Sequence, residues 1–412
     1  MDLKDIDLCD SRQFVERVPH EWFATLRTEA PVYWHEDPAS VNGGFWAVTG
    51  YADCVTVNRD FERFSSYSSG ALFQDWDIEN LEQERLMMLN MDPPMHTRYR
   101  RLVNKGFTPR MIRDLHDKVV QYTDAIIDRV CERGTADFVA EISAELPLQV
   151  IAELMGVPQE DRHLVFDWSN RMIGREDAEY GDGETAGADA TLAAMELFAY
   201  ADQLVAERRG DPHEDLISVL TAAEIDGDEL DTMEIDLFFL LLAVAGNETT
   251  RNLISGGMVA LFEHPDQWQK LLADRSMLPG AVEEMLRWVT PVMHFRRQVI
   301  ADTELSGQEV KVGDKVVFWH ISANRDETVF PDPDRFDITR TPNNHIAFGG
   351  GGPHFCLGAN LARMEIAVLF ERVLDRLPDI HLDGPVERLQ SNFINGVKHL
   401  PVAFTPSAPV GR

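Results

Sequence analysis

The run "DTMEIDLFFLLLAVAGNETTRNLISGGMVALFEHP", residues 231–265, constrains this chain more than any other segment. It predicts one helix from about 231 to 263, apolar nearly all round. Such a helix has no solvent face and must run through the middle of the molecule, wrapped by other elements. A chain of 412 residues with 44% hydrophobic composition can build that wrapping. No Ser/Gly-rich linker, repeat or low-complexity tract divides it, so residues 1–412 are expected to form a single domain.

The elements around the helix are mostly helical too. "MIRDLHDKVVQYTDAIIDRVCERG" (111–134) places apolar residues three and four apart and stops at Gly134. "ELPLQVIAELMGVPQEDRHLVFDWSNRMIG" reads as helix, turn at Gly156-Val157-Pro158, and second helix. Short strand signals lie near both ends: "PVYWHE", "FWAVTG", "DTELSGQEVKVGDKVVFW" and "HLPVAFTP". The expected class is mainly α with small peripheral β-sheets. Residues 66–82 and the glycine-rich 174–190 read as irregular loops, the candidates for a lid over a pocket.

Charge and cysteine usage exclude several functions. The formal net charge is −32, which argues against nucleic acid or anionic lipid as partner. The four cysteines, Cys9, Cys54, Cys131 and Cys356, form no C-x-x-C pair, so neither a disulfide framework nor a zinc ribbon is expected. No apolar run reaches the roughly 20 residues of a membrane span, and the acidic N-terminus does not read as a signal peptide; a cytoplasmic protein without a membrane span is expected.

The chemistry-bearing stretch is "AFGGGGPHFCLG", 347–358. Cys356 precedes the amphipathic run "LGANLARMEIAVLFERVLDRL" and so stands at a helix N-terminus, which favours a thiolate. A thiolate there serves as nucleophile or metal ligand, and an inert buried cysteine is the plain alternative. The glycines permit close backbone approach to a partner. A phosphate-binding GxxxxGK[ST] pattern is absent.

"FGGGGPHFCLG" resembles the haem-binding loop of the cytochrome P450 family, in which a cysteine thiolate is the axial ligand of haem iron. Further blocks follow in the family's order. "AGNETT", Ala245 to Thr250, resembles its oxygen-binding motif. Thr249 can bond back to the carbonyl of Ala245, and Gly246 weakens the same turn, so a bend and a groove are expected. "EMLR" supplies Glu284 and Arg287, and "FPDPDRFD" supplies Arg335, matching a structural Glu-Arg-Arg network. "MDPPMHTRYRRLVNKGF" places His96 and Arg100 one helical turn apart, matching haem-propionate ligands. Arg297, with Arg296 as the alternative register, and His354 match two more. Phe348 lies eight residues before Cys356, one more than the common loop.

The resemblance implies a cytochrome P450 fold, with haem b between the long helix and the Cys356 loop. Its cofactor contacts are His96, Arg100, Ala245, Arg297, Phe348, His354, Cys356 and Gly358, with Cys356 on the metal. It implies a monooxygenase that uses dioxygen and inserts one oxygen atom into a C–H bond. Glu248 and Thr249 are its proton-relay pair. Electrons come from NAD(P)H through external partners, a ferredoxin and its reductase, since no flavin or iron–sulfur motif is present. Arg98, Arg101, Lys105 and Arg110 are candidate docking cations. Leu241, Val244, Val292, Met293 and Phe393 are candidate pocket residues, mostly apolar and suited to a bulky apolar substrate. "LAVAGNETTRN" and "FINGVKHLPV" look like bacterial enzymes that hydroxylate sterol side chains and methyl-branched lipids. Enzymes that β-hydroxylate amino acids on peptidyl carrier proteins have similar blocks. A haem-thiolate redox or gas sensor is the reading from another class, and would not need Glu248 and Thr249.

Overall fold

The computed structural model describes residues 1–173, 186–225 and 227–411. They fall into two compact units, each assembled from separated stretches: 1–98, 283–356 and 390–395 in the first, and 99–282, 357–389 and 396 onward in the second. Both are discontinuous in sequence, so no single cut separates them.

The first unit is built on a five-stranded sheet. Its strands are β1 (Val32–Glu36), β2 (Gly44–Val48), β3 (Phe64–Ser65), β4 (His294–Val299) and β5 (Lys315–Trp319), in the order β1-β2-β5-β4-β3. β5 runs parallel to β2, with Val316 opposite Trp46, and antiparallel to β4, with Val316 opposite Arg297. All five residues of β5 are buried, because alternate side chains feed two cores. Val317 and Trp319 join Phe14, Phe23, Phe45 and Met293. Val316 and Phe318 join Cys54, Val57 and Phe64.

β4 is the strand that the sequence patterns did not suggest. "HFRRQV" carries two central arginines, yet both are buried, at 2% and 3% exposure. Within the stretch read as irregular, Ile78–Glu84 forms a short helix capped by Asp77, whose side chain accepts from Asn80 N at 2.9 Å.

The second unit holds the long helix, observed as Thr232–Glu263. A capping box starts it: Glu234 N donates to Asp231 Oδ1 at 2.8 Å, and Asp231 N to Glu234 Oε2 at 3.0 Å. The helices Glu145–Met155, Arg162–Ile173 and Ala186–Gly210 pack against it. Residues 186–190 are therefore helical rather than part of the expected loop; 174–185 lie outside the described residues. The Ala359–Arg376 helix packs on Pro109–Val130. No helix among the described residues is long and apolar enough to cross a membrane.

One network in the first unit needs a correction. Glu284 and Arg287 are fully buried and bidentate, Nε to Oε2 and Nη2 to Oε1 both at 2.8 Å. The third member is Arg340, not Arg335. Arg340 Nε lies 3.3 and 3.2 Å from the two oxygens of Glu284, and Asn343 Nδ2 and Asp337 N also donate to that carboxylate. The Arg335 side chain is 63% exposed and faces Asp337; it is its backbone carbonyl that accepts from Arg287 and Arg340. The network thus pins residues 331–343, the approach to the Cys356 loop.

Removing Arg340 strips one of two cations from a buried carboxylate. Arg340→Ala should cost about 3–5 kcal/mol in guanidinium denaturation. Arg335→Ala should stay within about 0.5 kcal/mol of the wild type. The reverse ranking would return Arg335 to the network.

Candidate active site

The cysteine loop is set by its packing. Gly349, Gly351 and Gly352 have φ of 91°, 94° and 81°, conformations open to glycine. A Cβ on Gly350 would lie 3.0 Å from Val55 Cα, and one on Gly352 2.6 Å from the carbonyl oxygen of Asn58. Arg59 Nε donates to the Gly350 carbonyl at 2.6 Å. The glycines thus allow the loop to lie on the Tyr51–Arg59 helix, which is the close-approach partner within the first unit. The loop closes with Cys356 N donating to Phe348 O at 3.0 Å. Gly358 is the N-cap of the Ala359–Arg376 helix, and a Cβ added there would meet nothing within 4 Å.

The first unit holds three of the four expected propionate ligands, His96, Arg297 and His354. The rings of His96 and His354 lie 4.4 Å apart, and His354 Nε2 is 3.3 Å from Ser66 Oγ. Asp92 holds that serine by accepting from its backbone N at 2.9 Å. His96 and Arg100 share the Met95–Val103 helix. On β4 the two arginines part company. Arg296 binds Asp75, its Nη1 2.5 Å from Oδ1. Arg297 has no carboxylate partner among the described residues: its Nη1 donates to the Arg296 carbonyl at 2.7 Å and its guanidinium lies over Phe318. Burial lowers the Arg297 pKa to about 10, with Asp92 opposing that shift only through space. Arg297, not Arg296, is therefore the cation that lacks an anion.

The expected pocket residues divide. Val292 and Phe393 are partly accessible. Met293 is not: it is fully buried in the core with Phe14, Phe23 and Trp319, which removes it from the pocket set. Alternation across the backbone explains this, since neighbours at 292 and 293 point to opposite sides.

In the second unit the long helix is buried along most of its length. Leu241, Val244, Ala245 and Thr249 nevertheless remain partly or fully accessible, and their spacing puts them on one face. Thr249 Oγ1 donates to Ala245 O at 2.7 Å, the back-bond expected from the sequence. The expected bend rests on less: Thr232–Glu263 is continuous helix through these positions. Gly246 has a packing reason as well. A Cβ there would lie 2.6 Å from both Cδ1 and Cγ1 of Ile151 on the Glu145–Met155 helix. Glu248 is 2% exposed; its Oε2 pairs with Arg251 and its Oε1 has no partner among the described residues. Burial raises its pKa, with Arg251 opposing. Asn252 Nδ2 donates to the Glu248 carbonyl at 2.9 Å and Oδ1 accepts from Val397 N at 3.1 Å, fixing this turn. Sequence reasoning had passed over Asn252.

These residues fit a haem. In the first unit, a buried arginine without a counter-ion among the described residues suits a propionate, and the His96–His354 pair adds two donors. In the second unit, Gly358 and the accessible helix face each leave open space of their own. A rival metal cluster does not fit. Ligand atoms of Asp7, Cys9 and His35 lie within 4.8 Å of one another. Leu8 N, however, donates to His35 Nε2 at 3.0 Å, so the ring proton sits on Nδ1, the nitrogen facing Cys9.

Comparison with known proteins agrees. A family model described as "Cytochrome P450" matches residues 185–378. The chain is 44% identical to a steroid C26-monooxygenase of Mycobacterium tuberculosis, over 98% of this chain and 94% of that protein. A solved Mycobacterium marinum cytochrome P450 in complex with pseudoionone superposes with a TM-score of 0.88 at 40% identity, covering 98% of this chain and 96% of the other. P450BioI in complex with a hexadec-9Z-enoic acid ligated acyl carrier protein gives 0.86 at 30% identity, covering 96% and 99%.

The close approach at Gly246 is testable. Gly246→Ala should destabilise the protein by about 1–3 kcal/mol through overpacking. Combined with Ile151→Ala, which clears the contact, it should cost less than the sum of the two single changes by at least about 0.5 kcal/mol. Additivity would show that Ile151 is not what Gly246 accommodates.

Proposed function

The chain belongs to the cytochrome P450 family, and on that premise we propose that it hydroxylates the side chain of a sterol or methyl-branched lipid, with Cys356 as the thiolate ligand of its haem iron. As a cytochrome P450 it is a monooxygenase that uses haem iron, dioxygen and electrons from external redox partners. When bound, the haem supplies the activation of dioxygen and the insertion of one oxygen atom into a C–H bond.

The residues of this chain hold the group and manage protons. His96, Arg100, Arg297 and His354 would hold the propionates, and Arg297 would gain the anion that it lacks among the described residues. Phe348 and Gly358 shape the loop side, and Ala245 leaves the helix face flat. Glu248 is proposed as the acid. Burial favours its protonated form, and Oε1 is free to pass a proton while Arg251 holds Oε2. Thr249 donates its own proton to Ala245 O, so its oxygen is left to accept a hydrogen bond from the reacting site.

The observation that carries the substrate reading is the accessible face Leu241–Val244–Ala245 beside Glu248 and Thr249: apolar surface adjoining a proton-handling pair. The 44% likeness to a steroid C26-monooxygenase supports a sterol there. A ferredoxin with its reductase, in the cytoplasm, is the proposed electron source. A carrier-bound substrate is the second reading, supported by the likeness to the acyl carrier protein complex.

Titration of the holoprotein with cholest-4-en-3-one should give a saturable blue shift of the Soret band, and turnover should yield a side-chain alcohol. A shift only with an acylated or aminoacylated carrier protein would overturn the sterol reading. Thr249→Ala should lower product formed per NADH severalfold with a matching rise in hydrogen peroxide; unchanged coupling would remove Thr249 from the relay.

A further inference from the structure

The first unit contains a cavity of about 590 Å³ that none of the candidate active-site residues lines; its walls include Val41, Asp75, Trp76, Arg296, Val312 and Lys315. We propose that this cavity binds a small-molecule carboxylate with an apolar tail, its head group on Arg296 and Lys315. The proposal does not depend on the sterol reading.

Two buried cations form the polar end. Arg296 is 2% exposed and Lys315 5%. Arg296 spends only Nη1 on the protein: on Asp75 Oδ1 at 2.5 Å and the carbonyls of Gln74 at 2.8 Å and Phe73 at 3.4 Å. Its Nε is buried without a partner among the described residues. Lys315 Nζ reaches Ser40 Oγ at 3.0 Å and Asp75 Oδ2 at 3.5 Å, and lies over the Phe73 ring. The acidic groups nearby are already engaged. Asp75 Oδ2 also accepts from Val41 N at 3.0 Å. Asp314 Oδ2 accepts from Trp46 Nε1 at 2.8 Å and Lys311 N at 2.9 Å, and Asp37 accepts from Ala39 N at 3.0 Å and Ser40 Oγ at 2.6 Å.

Donors therefore outnumber acceptors at this end. Burial lowers the pKa of both cations, with Asp75 opposing the shift in each. A planar carboxylate matches the open edge of a guanidinium. The outer walls are of the opposite character. Trp76 and Leu81 line the cavity, and Val41 and Val312 are 82% and 61% exposed at positions that also line it. Asp75 and Asp314 line the floor beside the two cations, but their oxygens are already engaged, so exposed apolar side chains around the open guanidinium edge describe an amphiphile. In a chain of net charge −32, which repels anions elsewhere, such a floor is a specific feature.

Dodecanoate and its methyl ester serve as probes, titrated calorimetrically into the holoprotein. The acid should bind at one saturable site, at least about tenfold tighter than the ester. Lys315→Met, which keeps an unbranched side chain but removes the ammonium that lies over Phe73 and Phe45, should weaken the acid about tenfold and leave the ester unchanged. Asp75→Asn keeps both cations and removes their competing carboxylate, so it should tighten the acid. Equal affinity for acid and ester, no saturable binding, or affinities unmoved by both variants would overturn the proposal, the first two without any variant.

Discussion

A buried arginine without an anion is the constraint on which the first unit turns. Taking a guanidinium out of water costs several kcal/mol unless a counter-charge compensates it. Arg297 sits at 3% exposure on β4 with a backbone carbonyl and an aromatic face as its company. Its neighbour Arg296, on the opposite side of the strand, has Asp75. A fold does not maintain such a charge for stability alone. The strand is held from both edges, by β5 and β3, and the arginine is presented from a frame too rigid to let it escape to solvent. On the proposed reading the haem propionates would complete that charge balance, which would make cofactor binding and the electrostatics of this unit one problem.

The same logic runs through the second unit. An apolar helix that stays buried for most of its length carries a carboxylic acid, two hydroxyls and an amide at Glu248, Thr249, Thr250 and Asn252. Asn252 and Thr249 satisfy helix carbonyls, so the backbone holds the turn while Glu248 keeps one oxygen unsatisfied. Gly246 lets Ile151 close on the opposite side. Packing on one side and an accessible face on the other divide a single helix between stability and chemistry.

Much of this was legible in the sequence because it is local. The helix from about 231 to 263, the threonine back-bond at i−4, and the cysteine loop depend on spacing along the chain. What was not legible depends on which side chain the tertiary structure turns inward. Arg335 carries the expected pattern, yet its side chain faces solvent and Arg340, five residues on, reaches Glu284. Met293 is apolar like its neighbour Val292 but faces the core. β4 was hidden because two arginines in "HFRRQV" break an apolar alternation, and Asp75 compensates only one of them once both are buried. The glycine run suggested close approach correctly, but the nearest partner is a helix of the same chain.

The central claim is that Cys356 holds the haem iron as a thiolate. The carbon monoxide difference spectrum of the reduced protein tests it most directly, in the wild type and in Cys356→Ser. The account predicts the long-wavelength Soret band of a thiolate-ligated haem in the wild type and its loss in the variant. A wild type without that band, or a variant that retains it, would contradict the account.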